Sequence, residues 1–354
     1  MMIYLLLILV VLLCFRTMKE EKALLFSFLS MSLIAALRSP GVGVDTQQFY
    51  DAFYAIGESA SLSSFRYEYG FTLLCKILYL LFKNGQSLIV FTSLFIHFSV
   101  YRFIKKNSKN YAQSTLLYIF MNLFFNYMNI MRQAMAISVL LLGYDLLRDK
   151  KYFSYLIVIA IASLFHISAL LAVGLILLKM IRFDKKSLIG LTLAGLVVFA
   201  LLTQIFDLMI LIFPQYSAYK DSIYASGNLF GSLLDFMMNF FIVVLLILAN
   251  RSFEKSRETA LPEEENFLTL TMIVYLILLS FIVRINLFNR FSPILGIYLI
   301  LYVPNTIKQI RQENEALGKR CQFIVFAIAL ASFCIINLFR PEWTGAIPYT
   351  FFWN

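Results

Sequence analysis

The chain has 354 residues, 61% of them hydrophobic and 16% aromatic, with a mean hydropathy of +0.80. Soluble domains are only about half apolar, so the composition excludes a water-soluble fold and predicts an all-α polytopic integral membrane protein with one integral domain over residues 1–354. Thirty Lys and Arg against 20 Asp and Glu give a net charge of +10. These cations fall mostly in short loops between apolar segments, as the positive-inside rule requires, which speaks against nucleic acid as a partner.

The chain opens on M-M-I-Y-L-L-L-I-L-V-V-L-L-C-F-R, an apolar run without a basic region before it or a small-residue cleavage site after it. It reads as a retained first span. Expected spans then cover 3–15 and 23–37, and later 86–104, 112–128, 133–147, 152–165, 168–180, 187–203, 231–249, 266–283, 290–303 and 321–337. Basic loops at 105–109, 148–151, 182–186, 250–265 and 305–320 are placed on the cytoplasmic side. Parity leaves segment 69–82 as the difficult one. If it is re-entrant or interfacial, about 12 spans (11–13) result with both termini outside; if it spans, the amino terminus is inside. Its 14 residues favour the first arrangement. The cysteines (Cys14, Cys75, Cys321 and Cys334) lie in or beside apolar stretches, without metal-ligand spacing.

Polar residues collect at the expected outer ends of these segments. The loop R-S-P-G-V-G-V-D-T-Q-Q-F-Y-D-A-F-Y carries Arg38, Asp45, Tyr50 and Asp51, and F-R-Y-E-Y-G-F adds Arg66 and Glu68. In 112–147, Asn122, Asn126, Asn129 and Gln133 are spaced 4, 3 and 4, one polar stripe on a continuous helix, with Arg132 beside it. Those 36 residues exceed one span, so a break near Asn129 is expected, with Arg132 at the start of the next helix, where the helix dipole adds to its charge. His166 lies in L-F-H-I-S at an expected outer end, whereas His97 is mid-span. Tyr216, Tyr219 and Tyr224 surround Lys220, a pattern suited to sugar stacking or to an interfacial aromatic belt. Arg284 and Arg290 enclose two asparagines in R-I-N-L-F-N-R-F. Cations at the lipid boundary without obvious anionic neighbours suggest that the anion is the substrate. There is no phosphate-binding G-x-x-x-x-G-K-[ST], no G-x-G-x-x-G and no D-x-D. That leaves a lipid-borne activated substrate, or transport.

Several of these pieces together resemble the EpsG family of Wzy-like bacterial polysaccharide polymerases: R-S-P-G-V-G-V-D-T-Q-Q-F-Y-D-A-F, E-Y-G-F, N-I-M-R-Q-A-M-A and L-F-H-I-S-A-L-L, with N-R-F and P-Y-T-F-F as weaker echoes. The resemblance implies a GT-C-like glycosyltransferase in the bacterial cytoplasmic membrane. Its active site faces outward and joins oligosaccharide units carried on undecaprenyl diphosphate, without nucleotide sugar. In such a reaction Arg132, Arg284, Arg290 and Arg38 are expected to hold the diphosphate, with Asp45, Glu68 or His166 as the base. Gln133, Asn129, Tyr216, Tyr219 and Lys220 are the expected substrate contacts. No cofactor and no metal are expected. Membrane lipid, a flippase and a chain-length regulator are the candidate partners. A polysaccharide ligase, a lipid-linked oligosaccharide flippase or exporter, and a polymer acyltransferase are the rival readings.

Overall fold

A computed structural model describes residues 1–62, 65–212, 229–250 and 262–354. Its described residues are helical apart from turns and one isolated antiparallel bridge, Arg38 to Phe351. The chain divides into two compact units, residues 1–173 with 329–354, and residues 174–328.

The first unit starts with helices α1 (Met2–Thr17) and α2 (Glu20–Ala36), followed by α3 (Thr46–Glu58), α4 (Tyr69–Phe82) and α5 (Gln86–Asn107). A broken run follows: α6 (Tyr111–Phe120), α7 (Leu123–Asn129), α8 (Met131–Leu142) and α9 (Tyr144–Arg148), then α10 (Tyr152–Ser163) and a 3-10 turn, Ile167–Ala172. The carboxyl-terminal tail, with a π-helical turn at Ile335–Phe339, closes the unit. Helix α5 packs on α2 and α8, α2 on α1, α8 on α10, and α3 on α4. In a membrane there is little hydrophobic drive between helices, so close packing and buried polar bonds must hold such a bundle. Edge-to-face aromatic contacts among Tyr4, His97, Tyr118, Phe124 and Phe125 fill one part of this core. Phe49, Phe53, Phe71, Cys75 and Met131 fill another.

The second unit holds all but the first residue of α11 (Val173–Met180), then α12 (Lys185–Ala200), α13 (Leu202–Ile212), α14 (Leu229–Ala249), α15 (Glu263–Arg284), α16 (Ser292–Gly296), α17 (Leu299–Glu313) and most of α18 (Glu315–Cys334). Asp184 and Ser187 form a reciprocal capping box that starts α12. The Lys179 side chain, 1% exposed, lies 3.1 Å from Glu264 and 3.6 Å from Glu263, closing one end of this unit.

Among the described residues, four helical stretches are long and apolar enough to cross a membrane: α5, α14, α15 and Glu315–Phe339. The bent pair Lys185–Ala200 and Leu202–Leu208, at 62°, makes a fifth if it is one span. Shorter apolar helices are Met2–Thr17, Tyr69–Phe82, Met131–Leu142, Tyr152–Ser163 and Ile167–Met180. These stretches make the protein a helical membrane protein. The expected polar stripe is broken rather than continuous, because Asn122 takes a left-handed backbone (φ 58°) between α6 and α7. Asparagine tolerates that conformation better than most residues. Its side-chain amide donates to Ser332 Oγ at 3.3 Å, and its oxygen accepts from Asn337 at 2.6 Å.

Candidate functional site

Helix α7 stops at Asn129 and α8 starts at Met131, with Ile130 outside helical geometry (φ −82°, ψ 45°). Arg132 therefore stands in the first turn of α8, where the unpaired backbone N–H groups and the positive end of the dipole add to its charge. Its Nη1 is bonded to the Glu68 carboxylate, with side-chain exposures of 16% and 22% for the two partners. The Tyr67, Phe49 and Phe71 rings surround the guanidinium, with centroids 4.8, 5.6 and 5.9 Å from its carbon. Such ring faces favour a cation held out of water. Arg132 Nε is buried without a hydrogen-bond partner among the described residues, so part of the guanidinium fork stays unused. The expectation that these arginines lack anionic neighbours is corrected at Arg132. Its counter-ion lies 64 residues away in sequence, beyond the reach of spacing arguments.

Glu68 precedes α4 in an extended conformation, and its carboxylate does not cap that helix. Besides Arg132, it accepts from the Ile167 amide at 3.3 Å. The Gly70 amide donates to the Leu164 carbonyl at 2.8 Å, and a Cβ on Gly70 would lie 2.7 Å from that oxygen. Glycine at this position thus joins E-Y-G-F to L-F-H-I-S by close backbone approach. Gly70→Ala is expected to push α4 away from residues 164–167 and to lower the melting temperature of the protein. Thermal melting of the purified protein in detergent measures this, and an unchanged melting temperature would show that the approach tolerates a side chain.

His166, 7% exposed, caps the following 3-10 turn: its Nδ1 accepts from the Ser168 amide at 3.2 Å and lies 2.7 Å from Ser168 Oγ. With Nδ1 accepting, the neutral ring carries its hydrogen on Nε2. The geometry suits a donor at Nε2 better than a base at Nδ1.

Beside Arg132 lies a polar knot built largely on backbone groups. Asn129 accepts from the Val44 amide at 2.9 Å and donates to the Thr344 carbonyl at 2.6 Å, and Gly43 N–H donates to Gly345 at 2.8 Å. Gly43 has φ +103°, and a Cβ there would lie 2.7 Å from Asn129 Oδ1, which explains glycine in S-P-G-V-G. The tail continues the knot: Ser39 N–H donates to Thr350 at 2.9 Å and Phe352 N–H to Leu37 at 3.1 Å. Asn129 was expected to contact substrate, but both ends of its amide are spent on tying loop 38–45 to the tail. Arg38 is likewise turned inward. It is 1% exposed, and its guanidinium donates to the Ala35 carbonyl, to Ser93 Oγ at 2.9 Å and to the Met128 carbonyl at 3.2 Å. Burial lowers its pKa to about 10, so it stays charged at neutral pH. This geometry ties the Arg38 guanidinium to the Met128 carbonyl, next to Asn129, and closes it off from solvent.

The remaining expected residues are distributed as follows. Gln133 is buried in the first turn of α8. Asp45 is half-buried at the start of α3, next to the Val44 amide held by Asn129. Arg284 and Arg290 belong to the second unit. There Arg284 ends α15, donating to the Phe199 carbonyl at 2.6 Å and Thr203 Oγ1 at 3.1 Å, and Arg290 ends the 3-10 turn Asn286–Arg290. Tyr216, Tyr219 and Lys220 lie outside the described residues. The sequence reading missed the three rings around Arg132 and the junction at Gly70; the aromatics flanking E-Y-G-F were the available signal.

The segments R-S-P-G-V-G-V-D, E-Y-G-F, N-I-M-R-Q, L-F-H-I-S and P-Y-T-F-F, scattered over more than 300 residues, are thus bonded into one site and its supporting knot in the first unit. A family model described as EpsG family matches residues 22–351 of the chain. The chain belongs to the EpsG family. Membership makes this EpsG-family protein an exopolysaccharide-related polymerase of a membrane. No curated protein and no solved structure matches it.

Proposed function

We propose that this protein polymerises oligosaccharide repeat units carried on undecaprenyl diphosphate at the outer face of the bacterial cytoplasmic membrane. The proposed fold is GT-C-like with about 12 spans, the shorter apolar helices and broken pairs included. The observation that carries the reading is the Arg132–Glu68 pair at the start of α8, with His166 held next to the Glu68-bound Ile167.

The lipid diphosphate competes with Glu68 for Arg132. A phosphate can take the unused Nε together with Nη2, the two N–H groups that share one edge of the guanidinium, in the bidentate geometry that a guanidinium prefers, and draw Arg132 off Glu68. Once displaced, Glu68 is a carboxylate beside the diphosphate and can accept the proton of the acceptor hydroxyl. That oxygen forms a bond to the anomeric carbon of the growing chain. The bond from this carbon to the diphosphate oxygen breaks, and its electron pair leaves with the lipid diphosphate. Charge on the leaving group grows through this step, so Arg132 and the N-terminal amides of α8 favour the transition state over the ground state. His166 Nε2–H supplies a further donor. Gln133 is proposed to contact substrate, while Asp45 is the alternative base. Membrane lipid surrounds the enzyme, with a flippase delivering substrate and a chain-length regulator setting product size.

Lipid-linked intermediates in cells lacking the protein test the reading. Accumulation of single repeats on the lipid is expected. Long chains remaining on lipid would instead identify a ligase, and intermediates trapped on the cytoplasmic side would identify a flippase.

A further inference from the structure

A shallow open groove of about 500 Å³ lies in the first unit, between α3 and residues 65–67; it is lined by Gln48, Asp51, Ala52, Ala55, Phe65, Arg66 and Tyr67. Tyr67 belongs both to this groove and to the arginine site. Its ring centroid is 5.5 Å from the Arg66 guanidinium carbon and 4.8 Å from that of Arg132, and its hydroxyl accepts from Gln48 Nε2 at 3.0 Å. The groove therefore adjoins the proposed site of chemistry across one aromatic ring.

Its chemistry discriminates among occupants. A diphosphate is disfavoured by the exposed Asp51 carboxylate, and an isoprenoid tail by the charges of Asp51 and Arg66 in the lining. A pyranose ring has apolar C–H faces that rest on aromatic rings and hydroxyls that both donate and accept. Phe65 and Tyr67 supply rings, Asp51 an acceptor, Arg66 a donor, and Gln48 both; Ala52 and Ala55 leave the floor low. We infer that this groove is a saccharide subsite, holding the sugar portion of a substrate whose diphosphate lies at Arg132. The inference rests on the polymerase reading for which saccharide arrives there.

The probe is the lipid-free repeat-unit oligosaccharide, released by mild acid from the source strain's own lipid carrier. Its binding to the full chain in lipid nanodiscs is followed by saturation-transfer NMR, beside elongation of the intact lipid-linked substrate. Gln48→Ala and Asp51→Ala change exposed side chains and are expected to keep the wild-type melting temperature. Both are expected to weaken oligosaccharide binding at least tenfold, and Arg132→Ala less than threefold. Oligosaccharide binding that both groove variants leave unchanged would overturn the subsite, with elongation by the wild type still supporting the polymerase. Wild-type protein that elongates lipid-linked substrate yet binds no free oligosaccharide would also overturn it. Groove-dependent binding without elongation would keep the subsite and remove the polymerase reading. Neither binding nor elongation would remove both.

Discussion

Replacing Arg132 with alanine is expected to abolish polymer, a loss of at least a hundredfold, while the protein remains in the membrane at near wild-type abundance. The exposures decide the second half of this statement. Arg132 and Glu68 are each partly open, at 16% and 22%, so losing one partner leaves a carboxylate that solvent can reach rather than a buried naked charge. Catalysis has no such relief, because removing a preorganised charge from a developing anion typically costs on the order of a hundredfold or more in rate. Arg132→Lys should recover only part of the activity: an ammonium keeps the charge but loses the planar fork. The exchange Arg132→Glu with Glu68→Arg separates structure from chemistry. It preserves an ion pair but moves the cation away from the start of α8, so abundance should be normal and polymer absent. Polymer length on gels, set against immunoblot abundance, measures all three; polymer of normal length from Arg132→Ala would sink the diphosphate assignment.

Arg38→Ala is expected to fail in the opposite way, by loss of folded protein. The Arg38 guanidinium is bonded to Ala35, Ser93 and Met128 inside the bundle. Hydrogen bonds from a charged donor contribute about 1.5–3 kcal/mol each, and the truncation also leaves a cavity and unpaired acceptors. A net loss of about 3 kcal/mol or more follows. Arg38→Lys should be nearly as damaging, since one ammonium cannot reach acceptors spread along α2, α5 and α7 in the same geometry. Thermal melting in detergent, read by fluorescence-detected size exclusion, measures the effect. An Arg38→Ala protein with normal melting and no activity would return Arg38 to the substrate-binding set.

The contrast between these two arginines shows which parts of the architecture hydropathy and spacing disclose. Segment 69–82 matches α4 residue for residue, and the expected break near Asn129 falls at Ile130 with Arg132 in the next helix. Both are local consequences of apolar run length and of where one span must end. Partner choice was not legible. Arg38 and Arg132 look alike in sequence as cations following apolar runs, yet one bonds mainly to backbone carbonyls and a hydroxyl and the other to a carboxylate. Backbone acceptors have no sequence signature, which is also why Asn129 read as a substrate contact although Val44 and Thr344 occupy it. The span expected over 112–128 presupposed an unbroken helix up to the break near Asn129, and a left-handed residue at Asn122 is invisible to periodicity. By contrast, Gly70 of E-Y-G-F and Gly43 of S-P-G-V-G stand at close approaches inside motifs that carry the resemblance.

The most direct test of the central claim is to incubate the purified protein in detergent with its lipid-diphosphate oligosaccharide, without nucleotide, and to resolve the glycans by length. A ladder of longer glycans from the wild type, absent with Arg132→Ala, is the predicted result. Folded wild-type protein that leaves intact substrate unextended, or an Arg132→Ala protein that builds the same ladder, would contradict it.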